Sequence, residues 1–327
     1  MISNEMQKKV VYSKTIEKHS REDVLDSKYG EKWVKYRREW NEDTFQEENI
    51  RKFPIEYDIQ LCDECNLRCA ICHKRKRDYG KLDIGRLKEL LCEGAENGLC
   101  CVSLGADEEC LLHEKELFDI ISFSRKLGIM DILVGTNGLL LTEDISKRLL
   151  ESGVTLVQCS IDAASPEVYK KVRHGDLDVV ERNLNYLIDL RNELGAELPQ
   201  IRVSFCKNPY NRDEVRTFTS KWENVADKVD IQNYIALAGE FEDFSSAQKI
   251  TTSFCADPFK RVTILANGNV TCCCVFSHDD IIIGNVYDKS MSEIWNGKKM
   301  RSIQHAFLLG QGHPEYCIKC MNSHYEF

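Results

Sequence analysis

The sequence predicts an α/β protein, and three observations carry that prediction. From residue 53 onward, short β-like runs alternate with amphipathic stretches of helical spacing. A length of 327 residues with 43% hydrophobic content is enough for a sizeable core and about two domains. With 18 glycines and 6 prolines, the composition excludes collagen-like and low-complexity chains. Alternation of this kind builds βαβ units around a parallel sheet. Six units can be counted, short of the eight of a closed barrel. The expected fold is a partial (β/α)6, TIM-like barrel followed by a small C-terminal α+β domain.

Residues 1–52 are polar and charge-rich. In GEKWVKYRREW, the spacing of Trp33, Tyr36 and Trp40 puts three aromatics on one helical face. The segment reads as an N-terminal helical extension, a lid or docking appendage. The barrel should occupy residues 53–240. Its expected strands are 56–62, 100–105, 131–137, 155–162, 201–206 and 229–235. Stretches such as IGRLKELLCEGAENG and VVERNLNYLIDLRNELG supply the helices between them. Residues 241–327 form the second domain. There RVTILANGNVTCC reads as a hairpin turning at Asn267–Gly268, followed by the strand IIIGNV and one helix, MSEIWNGKKMRSIQHAF.

Charge and targeting signals narrow the function classes. A net charge of -9 argues against general nucleic-acid binding. No apolar run approaches the ~20 residues of a membrane span. The start, MISNEMQKKVVYSKTIEKHSRED, has no apolar core like that of a secretion signal. A cytoplasmic protein with neither nucleic-acid nor membrane partners is expected. In that compartment 16 cysteines point to metal or catalysis rather than disulfides.

Three of the thiols stand at close spacing, Cys65, Cys69 and Cys72, just after the first strand. That is the C-terminal mouth, where α/β sites form. Thiolates are soft ligands for zinc or iron–sulfur clusters. A structural zinc needs a fourth ligand, for which Cys62 or His73 is nearest. Alternatively, three thiols hold three irons of a cubane and leave the fourth open. This CxxxCxxC after a first strand resembles the radical S-adenosylmethionine (SAM) superfamily. SLGADEECLLH resembles a degenerate form of that family's Gly-Gly-Glu-Pro segment, with Glu109 at the glutamate and Cys110 in place of proline. GTNGLLL and SIDAASPEVYKKVRHG resemble its third and fourth strand ends. By the resemblance, Ser160 and Arg173 touch the ribose or carboxylate of SAM, and Ile71 takes a position where the family often has an aromatic against adenine.

In the C-terminal domain, Cys255 and Cys273 flank the hairpin, and Cys317 and Cys320 close the chain as CxxC. Four thiols can complete one metal site. This set resembles the SPASM or twitch domains of many radical SAM enzymes. The family's run of a CxxC followed by two further cysteines is missing, so the resemblance implies one auxiliary 4Fe–4S cluster, two clusters in all. A zinc ribbon uses similar pairs, and Cys272 or Cys274 can stand in for Cys273. The resemblance spans about residues 53–327 and leaves the extension without a role.

The strands themselves carry a further signal, because buried parallel strands are usually apolar on both faces and these are not. Alternation groups Glu56, Asp58, Gln60 and Cys62; Gln158, Ser160 and Asp162; Arg202, Ser204 and Cys206; Asp230, Gln232 and Tyr234. The polar face should point into the barrel, where SAM, a polar substrate or water satisfies it.

The resemblance implies a radical SAM oxidoreductase. SAM, cleaved reductively to a 5′-deoxyadenosyl radical, would abstract hydrogen from a C–H bond of a small polar substrate, a sugar or aminocyclitol. An electron donor such as flavodoxin or ferredoxin would be its partner. If the substrate is oxidised, the reaction is a dehydrogenation and needs a base, for which Asp58, Asp162 and Tyr234 are candidates. If a thiol returns a hydrogen atom, the protein is an epimerase. Cys206 or Cys274 would then be the donor, whereas Cys159 faces the other way. A ribosomal-peptide substrate is the alternative, and a zinc-stabilised binding protein the non-enzymatic one.

Overall fold

Six parallel strands in sequence order form the centre of the molecule, and the chain is joined to both of their edges. The computed structural model describes residues 15–17, 21–41, 45–72, 80–235, 248–273 and 281–326. The chain opens with β1 (Thr15–Glu17), α1 (Arg21–Tyr29) and α2 (Glu31–Trp40). The barrel then runs β2 (Glu56–Ile59), α3 (Ile84–Glu96), β3 (Cys101–Leu104), α4 (Glu114–Lys126), β4 (Asp131–Thr136), α5 (Glu143–Ser152), β5 (Leu156–Ser160), α6 (Pro166–Val172), α7 (Leu177–Glu193), β6 (Gln200–Lys207), α8 (Val215–Trp222) and β7 (Lys228–Ile235). All six sequence-predicted strands are present. The last part comprises β8 (Gln248–Ile250), α9 (Asp257–Lys260), β9 (Arg261–Ile264), β10 (Asn269–Thr271), β11 (Ile282–Asn285), α10 (Met291–Trp295), α11 (Lys298–Leu309), α12 (Glu315–Met321) and β12 (His324–Glu326).

Local chemistry sets the helix starts. Asp83 accepts the Arg86 N–H ahead of α3, Thr142 caps α5, Asp176 caps α7, and Ser165 caps α6 with Pro166 in the first turn. Each cap satisfies an amide that the helix leaves orphaned.

Strands β2 to β7 pair in order, all parallel. Beside β2 lies β9, also parallel, with Glu56 opposite Arg261 and Ile59 opposite Ile264. The hairpin strands β10 and β11 follow antiparallel. At the other edge β7 receives β1 and β12, both antiparallel, and β8 lies on β12. The C-terminal part therefore prolongs the barrel sheet rather than standing apart from it. The 240/241 boundary lies outside the described residues.

One predicted element divides. The expected helix MSEIWNGKKMRSIQHAF is two helices, α10 and α11. Gly297 sits between them with an extended ψ of 156°, and starts the second helix as its N-cap. At Gly268 (φ 82°) the hairpin turns as expected, in a conformation open to glycine at little cost.

Between strands and helices lies one apolar core, with Tyr57, Ile59, Val102, Ile132, Val157, Val203 and Trp295 all buried. A second cluster joins Leu25, Trp33 and Tyr36 of α1 and α2 to Ile55, Cys101 and Met130. Those three partners stand at the starts of β2, β3 and β4. The extension thus seats against the N-terminal mouth of the barrel. Trp33 and Tyr36 pack edge to face with centroids 5.2 Å apart. Among the described residues, no helix is long and apolar enough to cross a membrane.

Candidate active site

The inward faces of the strands enclose a cavity of about 630 Å³, lined from Cys65 and Cys69 at one end to Tyr36 and Trp40 at the other. Its size falls in the usual range for small-molecule sites. The lining is polar, as the alternation predicts. Glu56, Asp58, Gln158, Ser160, Arg202, Asp230 and Gln232 all face it.

The thiol-bearing loop is fixed from three sides. Arg68 donates to the carbonyls of Cys65 and Leu67, both at 2.9 Å. The Asn137 amide, at the end of β4, donates to Asn66 Oδ1 at 2.7 Å and lies 4.0 Å from Cys65 Sγ. The Ala70 N–H donates to Val172 O at 2.8 Å, which brings α6 under the loop. Arg173 follows, with Nη1 3.7 Å from Cys69 Sγ and an ion pair to Asp162. Burial works against the Arg173 cation, yet Asp162 and Cys69 beside it hold its pKa above the usual value. Its buried Nε has no hydrogen-bond partner among the described residues.

The loop after β3 forms the opposite wall. There Glu108 accepts from the N–H groups of Leu61 and Cys62, each at 2.8 Å, and from the Cys62 thiol at 3.1 Å. Burial raises Glu108 to about 8 despite these bonds. Gly105 holds φ 107°, and a Cβ there would meet Gly135 O at 2.4 Å, so the loop can approach β4 only as glycine. Lower on the wall is Asp58. Burial raises it to about 7, with Arg261 lowering it and Glu56 raising it.

Some predicted residues stand away from the cavity. The Glu109 carboxylate is fully buried, accepting from Thr136 Oγ1 and Asn137 N at 2.7 Å each, and so ties the loop to β4. Asp107 and Glu108 line the cavity in its place. Asp162 has left the strand at φ 62°, and its carboxylate serves Arg173 and the Cys206 N–H. Tyr234 is buried, with its Cα opposite Tyr325 of β12. The Cys206 thiol is pushed up in pKa by burial, and neither it nor Ile71 faces the cavity. For Asp162, parity extrapolated past the end of β5 fails because the backbone turns there. The sequence shows neither that the extension brings Arg21 and Tyr36 to the cavity nor that β9 pairs with β2 and brings Arg261. Residues His73 and Cys274 lie outside the described residues.

In the C-terminal part, Cys255, Cys273, Cys317 and Cys320 are each partly buried against the core. On α12, the last two are three residues apart and share a face. The Thr252 N–H donates to Met321 O at 2.9 Å, drawing the chain before Cys255 toward α12. Cys272 is buried, its Sγ 3.9 Å from Ile281 O, and burial with Cys317 nearby raises its pKa. Among the described residues, no three donors converge for a single ion. A cubane sets no such demand, because each thiolate binds a different iron. The donor sets fit: three soft thiols beside a cation with a spare buried N–H, and four thiols at the far site.

Comparison with known proteins agrees. Residues 59–194 match the radical SAM superfamily model, and residues 255–321 match the SPASM iron–sulfur cluster-binding domain. The chain belongs to the radical SAM superfamily and carries a C-terminal SPASM domain. Its cofactors are accordingly SAM and two 4Fe–4S clusters. It is 31% identical over 180 residues to the GTP 3′,8-cyclase of Alkaliphilus metalliredigens, 53% of either chain. To the probable GTP 3′,8-cyclase of Methanocaldococcus jannaschii it is 25% identical over 193 residues, 57% of this chain and 61% of that one. The match thus spans about half the length of these curated relatives. Similar solved structures include Streptococcus suis SuiB bound to precursor peptide SuiA, with TM-score 0.61 and 15% identity over 82% of this chain and 68% of that one. BtrN in complex with AdoMet and 2-DOIA gives TM-score 0.51 and 16% identity over 80% and 89%. At these identities the likeness is one of fold.

Proposed function

We propose that the protein oxidises a small polar substrate, a sugar or aminocyclitol, at a C–H bond bearing a hydroxyl or amine. The observation that carries this reading is Asp58, a carboxylate raised by burial to about 7 on the wall of the cavity that Cys65, Cys69 and Arg173 also line. When bound, SAM and its cluster supply a 5′-deoxyadenosyl radical that takes a hydrogen atom, and the auxiliary cluster supplies an electron acceptor. Cys65, Cys69 and Cys72 would hold the first cluster, and Cys255, Cys273, Cys317 and Cys320 the second.

The chain's own groups do the rest. Arg173, with its spare Nε–H, and Ser160 would bind the SAM carboxylate or ribose. Asp58 would take the hydroxyl or ammonium proton as the substrate is oxidised, and a base titrating near neutral pH suits that task. The packed extension covers the strand starts at the far end. An external one-electron donor such as flavodoxin or ferredoxin would supply the reducing electron. The family neighbours point to other substrates, a peptide for SuiB and GTP for the cyclases. A lumen lined by charges of both signs favours a polar substrate.

Turnover with candidate substrates deuterated at one carbon tests the reading. Label in 5′-deoxyadenosine together with a carbonyl or imine product is expected. Solvent deuterium in an unoxidised product would instead assign an epimerase, and unlabelled 5′-deoxyadenosine would refute abstraction from that carbon.

A further inference from the structure

At the far end of the cavity, guanidinium groups from separate elements line one chamber, among them Arg21 from α1, Arg202 from β6 and Arg261 from β9. Two of them are well bonded. Arg21 reaches Asp131 at 3.1 Å, and Arg261 reaches Glu56 and Asp257 at 3.1 Å each. Arg202 has an ion pair to Asp230 at 3.4 Å, and its buried Nε has no hydrogen-bond partner among the described residues.

Elsewhere the protein gives a buried arginine a partner at each of its three nitrogens. Arg191 donates to Pro199 O at 3.1 Å and Asn192 Oδ1 at 3.1 Å and pairs with Asp227. A guanidinium has five N–H donors, and leaving them unmade away from water is costly. Arg202 therefore has donors to spare, and they sit in a cavity wall. Burial depresses its pKa, with Arg21 and Arg261 pushing the same way against Asp230 and Glu56. An anion bonded to the spare Arg202 donor would offset that burial.

We propose that this inner end, around Arg202 with Arg21 and Arg261, is a binding subsite for an oxyanion, a phosphate or carboxylate group of the ligand. The subsite lies in the cavity of the proposed reaction and rests on that reading for its purpose. It places a charged group of the substrate against the floor and the reacting carbon nearer the cysteine loop. Planar guanidinium donors suit such anions by paired hydrogen bonds.

The test measures binding of two probes, inorganic phosphate and acetate, to the anaerobic, cluster-loaded full chain by calorimetry. The wild type should bind at least one saturably. In Arg202→Gln the affinity should fall tenfold or more, with Arg202→Lys in between. In Asp230→Asn it should rise severalfold, because the competing carboxylate is gone. A purely structural role for the pair would make both substitutions weaken binding together. Thermal midpoints of the unliganded variants check folding. Tighter phosphate binding assigns a phosphorylated ligand, and tighter acetate binding a carboxylate. Absence of binding by the wild type, or equal binding by wild type and Arg202→Gln, overturns the proposal. Neither probe is turned over, so that failure leaves hydrogen abstraction and Asp58 untouched. Conversely, an isotope experiment without transfer leaves the anion result standing.

Discussion

The two mouths of the barrel solve opposite problems. At the C-terminal mouth, loops held by backbone hydrogen bonds present thiols and a partly satisfied Arg173. At the N-terminal mouth, side chains close the opening. Trp33 and Tyr36 bury an aromatic face on strand starts, while the Tyr36 hydroxyl lies 3.3 Å from Asp131 Oδ2 and Arg21 pairs with the same carboxylate. One end presents thiols for a cluster, the other seats the extension on an apolar patch. Between them Asp58 and Arg202 occupy a polar lumen that neither end fills.

Removing the thiols breaks the C-terminal end outright. Replacing Cys65, Cys69 and Cys72 by alanine should abolish 5′-deoxyadenosine formation, measured by chromatography of anaerobic reactions. Retained formation would remove the loop from the chemistry. At the auxiliary site, Cys255→Ala or Cys320→Ala should lower iron by about four atoms per chain, the content of one 4Fe–4S cluster. Unchanged iron would dismiss that ligand set. The N-terminal end should respond in stability rather than chemistry. Trp33→Ala removes a side chain buried to 1% exposure and should cost about 3–5 kcal/mol in denaturant unfolding. A loss under about 1 kcal/mol would mean that the extension only leans on the barrel.

Much of this was legible in the sequence where the physics is local. Alternation located six strands, and close cysteine spacing located the first loop. A three-four aromatic spacing showed that Trp33 and Tyr36 share a buried face, though not what they cover. The rest depended on contacts that no local pattern encodes. Pairing of β9 with β2 brings Arg261 into the lumen from 205 residues away. Asp162 and Tyr234 follow strand parity on paper. In the fold, Asp162 turns off through a left-handed backbone, and Tyr234 is buried rather than facing the cavity. Glu108, adjacent to the motif glutamate, takes the cavity position because Glu109 is spent on Thr136 and Asn137.

Asp58 is where the account is most exposed. Its acid form, favoured by burial, must ionise before it can accept a proton, so turnover should rise with pH through about 7 and level off above it. In Asp58→Asn, turnover should fall about 10²–10⁴-fold and that rising limb should disappear. A pH profile of product formation by Asp58→Asn that keeps the wild-type limb and rate would contradict the account.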